Sequence, residues 1–400
     1  MKMNKDNISE GVVVIGGHVQ GLGIARMIGN NGIPVIVMDY TKYNIARYSK
    51  YVRKYIDLTS SPEEEEKSLV NELITLAKTH NLSRWLLFPT DDNTVATLSK
   101  FKNQLSEIYL VWTPEWDVVK LFYDKIQTYK LADISGIAIP KSLFPRDLDD
   151  VKHYGKTIQY PVIIKPAVMQ NFYNKTNLKA IVVNSLDELV EKYNYVSGII
   201  DPSEIIIQEI IPGSPKNLYS CGVFFKDGKI VTSVIGRRAR QIPMDFGKAS
   251  TFVELVDIPE LYSISQSLLA NANYYGMAEV EFKYDERDGM YKLLEVNPRG
   301  WKWHVISLLE NKNIPLMIYN DMHNQSIDIQ FTINGNNNHL VWIDEFTDLF
   351  ISLKEIIGHR MSLGEYYSSI SGMRIFGAIS LHDPLPFIME TLFIPILMRR

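Results

Sequence analysis

Cysteine is nearly absent from this sequence: the 400-residue chain contains one, Cys221. A single cysteine excludes an internal disulfide framework and indicates a reducing compartment, so we expect a cytoplasmic protein. A nucleophilic role for Cys221 stays open, but a small buried side chain on a strand is the favoured interpretation. The residues before the first predicted strand also lack the apolar segment of a signal peptide.

The chain has no excess of positive charge and no long apolar run. Its net charge of −4 gives no reason to expect nucleic acid as a partner. No segment reaches the roughly 20 apolar residues that span a bilayer. The segment that comes nearest, LPFIMETLFIPILMRR, is interrupted by Pro386, Glu390 and Pro395. Packing against the body or a second subunit, as in a homodimer, is the favoured interpretation, and contact with a membrane surface stays open.

The first part of the chain alternates strand and helix patterns. An apolar run ends at Gly16, a helix pattern follows, and a second apolar run ends at Asp39. A helix over about 62–79 and a strand followed by a helix through Leu98 repeat the arrangement. Such alternation predicts a parallel sheet with helices on both faces. We place this first, α/β domain at residues 1–113.

A different pattern begins at residue 114. Two helices lead, strands and helices mix, and hairpin-like strands dominate after Tyr219, which is typical of an α+β domain. We therefore expect a second domain at 114–325, with lobes at about 114–207 and 208–325. Residues 326–400 form a C-terminal extension, and the asparagine-rich segment 324–338 is interpreted as a strand followed by a loop.

Four glycines separate the first strand from the first helix: Gly16, Gly17, Gly21 and Gly23. Their spacing does not match the dinucleotide fingerprint, although Asp39 ends the next strand, where a ribose-binding acid would lie. We favour a tight turn with close helix packing over a dinucleotide site. A contact between a substrate carboxylate and the helix N-terminus stays open.

An acidic hairpin at residues 278–298 is the strongest candidate site. Period-two alternation groups its side chains by face: Glu279, Glu281 and Lys283 on one strand, and Leu293, Glu295 and Asn297 on the other. A turn centred near Asp288 would put Glu281 opposite Glu295, and two like charges there are destabilising. A Mg²⁺ ion between the carboxylates would reverse that effect. The alternative is a solvent-facing acidic hairpin.

Basic residues are placed where they could meet an anion. Lysines that together would form a phosphate cradle are Lys125, Lys165 and Lys179. Lys165 ends an apolar strand, where a lysine must reach solvent or an anion. Three arginines follow another apolar strand: Arg237, Arg238 and Arg240. Recognition of carboxylate or phosphate and a basic surface loop are equally good interpretations of them.

Five segments in order resemble the ATP-grasp ligase superfamily: DK…GIAIP (Asp124–Pro140), YPVIIKPA, IIIQEIIPG, MAEVEFK and LLEVNPR. The resemblance covers about 114–325, and GGHVQGLGIARMI before it is similar to the pre-ATP-grasp domain. The segment R…RQ.P..FG is similar to the carboxylate–amine ligases that include D-aspartate ligase. The implied fold is a Rossmann-like pre-ATP-grasp domain followed by a two-lobed ATP-grasp domain.

The resemblance also implies roles for individual residues. The ATP-binding positions are Lys125, Lys165, Lys179, Gln208, Glu209, Ile210, Ile211 and Asn217, the last of which stands near the family's ribose-contacting acid. The metal ligands are Glu281, Glu295 and Asn297, and the catalytic arginines are Arg299, Arg237 and Arg240. The family's glycine-rich phosphate loop is missing. Residues 167–178 contain no glycine, so we expect a loop from which Lys175 or Lys179 supplies charge.

The implied reaction is ATP-dependent formation of an amide through an acyl phosphate, with ADP as product. The cofactors would be ATP and two Mg²⁺ ions, which Mn²⁺ can replace, and the substrates would be an amino acid or small carboxylate and an amine. The alternatives are a kinase- or carboxylase-like enzyme and a nucleotide-binding regulatory protein. Trp301 and Trp303 line a substrate pocket or cap the core, with neither favoured. For His304 we favour a structural role over that of a general base.

Overall fold

The computed structural model describes residues 10–59, 66–244, 247, 249–327 and 339–397, with side chains to residue 394. The first residues of the helix expected from about residue 62 lie outside this part of the chain. So does most of the segment 324–338. No helix in the described ranges is both long enough and apolar enough to cross a bilayer.

The first sheet has five parallel strands in the order β3-β2-β1-β4-β5. Its apolar strands form two cores, one on each face, with α1 on one side and α2 and α3 on the other. The predicted α/β layer is therefore confirmed. Its elements are β1 (Val12–Ile15), α1 (Val19–Gly29), β2 (Val35–Asp39), β3 (Val52–Asp57), α2 (Glu66–His80), β4 (Leu86–Pro89), α3 (Asp92–Lys100), α4 (Lys102–Leu105) and β5 (Leu110–Val111).

A four-stranded sheet in the order β6-β9-β7-β8 follows, and its strands pair antiparallel. Helix α8 occupies the stretch predicted as a loop, because glycine-free residues 169–176 sustain a helix that ends at Asn177 in a left-handed conformation. The elements are α5 (Trp116–Tyr123), α6 (Lys125–Ile134), β6 (Ser142–Leu143), α7 (Leu148–Gly155), β7 (Val162–Pro166), α8 (Met169–Thr176), β8 (Ile181–Val183), α9 (Leu186–Ser197) and β9 (Ile205–Glu209).

A seven-stranded sheet in the order β14-β13-β10-β11-β12-β15-β16 completes the fold. Strand β11 runs through the three arginines, so they lie within a strand and not in a loop after one. The elements are β10 (Leu218–Lys226), β11 (Lys229–Ile242), β12 (Ala249–Leu255), α10 (Pro259–Asn271), β13 (Gly276–Asp285), β14 (Met290–Asn297), α11 (Ile314–Met322), β15 (Leu340–Ile343), α12 (Glu345–Ile357), α13 (Leu363–Ile370), β16 (Met373–Phe376) and α14 (Leu385–Leu397).

Two strands near the C-terminus, β15 and β16, belong to the seven-stranded sheet. Strand β15 pairs antiparallel with β12, and β16 pairs parallel with β15. The region expected as an extension therefore widens the sheet. Strand β9 pairs within the four-stranded sheet as far as Glu209, slightly beyond the predicted lobe limit at 207. The domain limits themselves stay a prediction.

One apolar core joins the first sheet to the seven-stranded sheet. It contains Leu22 and Ile24 of α1 together with Trp301, Trp303 and Trp342. Burial of such large side chains is the main favourable term that holds two layers together. The first domain and the large sheet are thereby fixed against each other, which places α1 and α3 beside the acidic hairpin.

Candidate active site

A cavity of about 740 Å³ lies where the three sheets meet. Its wall takes Gln20, Asp92 and Asn93 from the first domain, Lys165 from the four-stranded sheet, and the acidic hairpin from the seven-stranded sheet. Clefts of this size between layers are typical small-molecule sites. Residues far apart in the sequence therefore share one pocket.

The hairpin presents its polar face to this cavity. Strands β13 and β14 pair Glu279 with Asn297 and Glu281 with Glu295, so the predicted opposition of the two glutamates is confirmed. The Asn297 amide donates to Glu279 at 3.1 Å and to Glu281 at 2.9 Å. Lys283 continues the same face. Three carboxylates and a carboxamide thus converge on one side of the sheet.

One detail of the predicted hairpin is wrong. Leu293 does not share a face with Glu295, because the register shifts between the pairs Glu281–Glu295 and Phe282–Leu293. The extra residue of this β-bulge is Leu294, which lines the cavity, whereas Leu293 is fully buried on the opposite face. A bulge inserts one residue and reverses the alternation beyond it. Period-two counting has no means of detecting it.

Two cations lie against the carboxylates. Lys125 Nζ is 3.0 Å from a Glu295 oxygen, and the lysine lowers the pKa of Glu295 to about 2. Arg238 is paired with Glu281. Burial and the neighbouring Glu279 and Glu295 nevertheless raise the pKa of Glu281 to about 8, against the opposing effect of Arg238. The two cross-strand glutamates therefore have pKa values shifted in opposite directions.

These donors fit Mg²⁺ chemically. All are oxygen ligands, and Mg²⁺ is usually bound through one or two carboxylates together with substrate phosphates. A divalent cation bound between them would offset the repulsion among the three carboxylates. Within the described ranges no three His, Cys, Asp or Glu side chains form a complete metal site by themselves. The roles of Glu281, Glu295 and Asn297 as ligands stay a prediction.

The three lysines predicted as a phosphate cradle all line the cavity: Lys125, Lys165 and Lys179. Lys165 Nζ donates to Tyr129 Oη at 2.7 Å and to Gln208 Oε1 at 2.8 Å. These two contacts hold its ammonium group at the cavity wall. Lys125 begins α6, which is capped by Asp124, so its position is set by the helix start.

Part of the cavity wall next to Lys165 is largely apolar, and we call this part the apolar slot. The predicted segment that lines it is Gln208, Glu209, Ile210 and Ile211. Sequence reasoning missed the apolar residues that complete the slot, which are Pro140, Ile163, Leu218 and Leu294. Asn217 is not part of the wall: its amide donates to Glu286 at 2.9 Å on the exposed side of the hairpin turn. The structure thus places Asn217 outside the cavity, next to Pro215 and Leu218, which line it.

Of the three clustered arginines, only Arg238 lines the cavity. Arg237 points to the other face and pairs with Glu254 at 2.5 Å. Arg240 forms two 2.7 Å bonds with Asp348 and stacks on Phe252. A register shift between Arg238 and Arg240 turns Arg240 away from the face that Arg238 occupies. Adjacent residues of a strand point to opposite faces, so extending the strand through residue 238 would have predicted that Arg237 and Arg238 have different environments.

Arg299 connects the hairpin to the first domain. Its guanidinium contacts Asp92 with an Nε–Oδ1 distance of 2.7 Å, and also reaches Asn297 Oδ1 at 3.2 Å. Asp92 begins α3 and was missed, as was Gln20 in α1. No sequence pattern pairs residues 207 positions apart, so Asp92 had no detectable signal.

The two tryptophans and the histidine have different positions. Trp303 lines the cavity, and its Nε1 donates to Glu279 at 3.0 Å. Trp301 is fully buried against Gly222, where an added Cβ would lie 2.1 Å from the indole ring. His304 Nδ1 lies 2.7 Å from the Trp301 carbonyl oxygen, and burial lowers the pKa of His304 to about 4. The structure therefore supports the structural interpretation of His304.

The glycine turn of the first domain is tight. A Cβ at Gly21 would lie 1.9 Å from the Gly16 carbonyl oxygen. Asp39 accepts from the Gly17 N–H at 2.5 Å and from the Thr41 N–H at 2.8 Å, so its carboxylate serves the turn. This arrangement supports the predicted tight turn over a dinucleotide site.

Comparisons with known proteins agree with this architecture. The sequence is 22% identical to D-aspartate ligase from Enterococcus faecium over 356 residues, which cover 85% of this chain and 83% of that protein. No protein-family model matches the sequence.

Two solved structures show the same fold at low sequence identity. One is L-amino acid ligase from Bacillus licheniformis, with a TM-score of 0.60, 14% identity and coverage of 80% of this chain and 75% of that one. The other is the biotin carboxylase domain of 2-oxoglutarate carboxylase from Hydrogenobacter thermophilus in complex with MgADP. Its TM-score is 0.61 at 15% identity, with coverage of 80% and 71%. At these low identities, the two similarities show a shared fold only.

Proposed function

We propose that this chain, which has the ATP-grasp fold and is related in sequence to D-aspartate ligase, is an ATP-dependent carboxylate–amine ligase. One observation carries the proposal: the acidic hairpin, Lys125, Lys165 and Arg299 line the same cavity. Phosphoryl transfer needs positioning and charge neutralisation more than a protein nucleophile. This cavity supplies both.

The cavity divides into two parts with different chemistry. The apolar slot beside Gln208 and Ile211 suits a purine ring, and Lys125 and Lys165 stand where the phosphates would follow. Glu281, Glu295 and Asn297 would hold Mg²⁺, which neutralises charge on the transferred phosphoryl group when bound. The similar structure that contains MgADP supports this assignment.

The reaction forms and breaks two sets of bonds. A carboxylate oxygen of the first substrate attacks the γ-phosphorus of ATP, and ADP leaves. The amine nitrogen of the second substrate then attacks the acyl carbon, phosphate leaves, and the nitrogen loses a proton. Arg299 and Arg238 line the cavity, and each would stabilise the negative charge that develops during these steps.

An amino acid is the favoured carboxylate substrate. The wall beyond the hairpin combines the cations Arg238 and Lys302 with the polar side chains of Gln20 and Gln241 and the indole of Trp303. Cations with a few polar groups suit a small, charged and hydrogen-bonding molecule. The relatives named as ligases of D-aspartate and of L-amino acids support this class.

The test is ADP release from ATP and Mg²⁺ with panels of amino acids and amines. The ligase is supported if ADP forms only when both a carboxylate and an amine are present. ADP formed with a carboxylate alone would favour the kinase- or carboxylase-like alternative, and nucleotide binding without turnover would favour a regulatory protein. Glu295→Gln should abolish turnover, whereas Glu286→Gln, in the exposed turn of the same hairpin, should leave it unchanged.

A further inference from the structure

Exposed apolar side chains concentrate near the C-terminus. Among the described residues, eleven of the nineteen large hydrophobic side chains that are exposed lie between residues 349 and 392. Single exposed apolar residues are ordinary, but a concentration of them marks an interaction surface. The eight others are distributed over the rest of the described chain.

Helix α14 carries one row of these side chains. Leu385, Ile388 and Leu392 are exposed and, at 100° per residue, lie on one face of the helix. The opposite side is already packed: Phe393 contacts Tyr43 with ring centroids 5.5 Å apart, and Phe387 stacks on Phe346 at 5.1 Å. The exposed row is therefore additional to the surface that docks the helix.

Helix α12 carries a second row that adjoins the first. Leu349, Leu353 and Ile357 are exposed and follow one another at intervals of four residues. Phe346 belongs to the same helical face, and it is the residue that Phe387 of α14 covers. Helix α14 thus lies over the first turn of this face, and the remaining turns stay open beside it. We call the two rows together the C-terminal apolar surface.

The charged side chain that α12 and α14 expose is basic. Neither helix fully exposes a carboxylate along its described length: Asp348 pairs with Arg240 and Glu355 pairs with Arg360, both of these carboxylates are buried, and Glu345 and Glu390 are partly buried. Lys354 is exposed on α12. Arg360, which follows α12, is also exposed. An apolar face with basic neighbours and no exposed acid is the pattern of a helix that binds anionic lipid.

We infer that the C-terminal apolar surface binds peripherally to an anionic lipid bilayer. Helix α14 has 13 residues and is about 20 Å long, too short for the roughly 30 Å hydrocarbon core, so it would lie along the interface. Ile357 of this surface is 77% exposed, and Leu381, which precedes α14, is 95% exposed. Such protruding side chains suit a deformable lipid phase better than a rigid protein partner, which would need a matching pocket for each. This inference does not depend on the proposed reaction.

The test is co-sedimentation of the full chain with vesicles. We expect binding to vesicles that contain phosphatidylglycerol and at least about tenfold weaker binding to pure phosphatidylcholine. The triple variant L385Q/I388Q/L392Q should weaken binding at least about a hundredfold, since each inserted leucine or isoleucine contributes about tenfold. A matched triple variant, I134Q/Y195Q/M290Q, changes three exposed apolar residues elsewhere and should bind like the unaltered chain.

Folding and self-association are controlled separately. Thermal unfolding should be alike in both triple variants, because all six positions are exposed. Equal sedimentation with and without vesicles would overturn the inference, as would unchanged binding by L385Q/I388Q/L392Q. Light scattering without lipid gives the third outcome: a dimer that this variant converts to a monomer would assign the surface to a second copy of the chain.

Discussion

Arg238 and Arg237 are adjacent in the sequence, yet they have opposite environments. Arg238 is buried, pairs with Glu281 and lines the cavity, whereas Arg237 is partly exposed and pairs with Glu254 on the other face of β11. A guanidinium held in a water-poor site interacts more strongly with developing charge than one in solvent. Substitution of Arg238 therefore tests its role in the cavity, and the same substitution of Arg237 is the control.

Arg238→Gln should lower kcat for ADP release by about 10²- to 10³-fold, the range seen when one transition-state donor is removed. Arg237→Gln should change kcat by less than about threefold, since partly exposed ion pairs contribute little. Because Arg238→Gln leaves Glu281 without its partner, nucleotide binding by the variant must be measured to confirm that it is folded. A larger loss in Arg237→Gln than in Arg238→Gln would refute the placement.

At the scale of the element, the β-bulge in β14 places Leu293 in the core and Leu294 at the cavity wall. Leu293→Ala should cost about 2–4 kcal/mol in the free energy of unfolding, because Leu293 is fully buried. Leu294→Ala should cost less than about 1 kcal/mol but raise the KM for ATP about three- to tenfold, because this side chain lines the cavity. Urea unfolding and steady-state kinetics separate the two effects, and reversed results would contradict the bulge.

Helix α14 carries a carboxyl group whose ionisation opposes docking. Burial, with Glu345 and Asp344 nearby, raises the pKa of Glu390 to about 8. Between the unfolded pKa near 4.5 and about 8 the folded chain binds a proton that the unfolded chain has lost, so stability falls as the pH rises through this range. Glu390→Gln should reduce that fall by roughly 2–4 kcal/mol, measured by urea unfolding at pH 5 and pH 8.5. Parallel pH profiles for variant and unaltered chain would exclude the effect.

Local patterns predicted most elements, and non-local contacts explain what they missed. The strand ending at Ile15 and the hairpin pairing of Glu281 with Glu295 follow from periodicity and turn chemistry alone. The bulge at Leu294 and the burial of Arg240 do not. Arg240 is held by Asp348, which is 108 residues away, so its position depends on how the C-terminal helix α12 packs against the sheet. Residue type left charge recognition and a basic surface loop equally good for the three arginines, and the tertiary structure shows that Arg238 is the one among them that lines the cavity.

The whole molecule assembles the candidate site from parts that are far apart in the chain. Asp92 of the first domain contacts Arg299, which follows the last strand of the hairpin, and the shared tryptophan core holds the two layers together. The apolar slot and the lysines belong to other elements and do not need this contact. Nucleotide binding and the chemical step should therefore respond differently when the contact is broken.

Asp92→Asn tests this separation. Without the carboxylate, the Arg299 guanidinium loses its orienting partner, so kcat should fall about ten- to a hundredfold through misplacement. The Kd for ATP should change less than about twofold, because the slot and lysines are intact. Glu66→Gln, which breaks the exposed ion pair with Lys100 on the neighbouring helix, is the matched control and should alter neither quantity. An equal loss in kcat and in ATP affinity would mean that Asp92 supports the fold of the cavity as a whole and does not position Arg299 for the reaction.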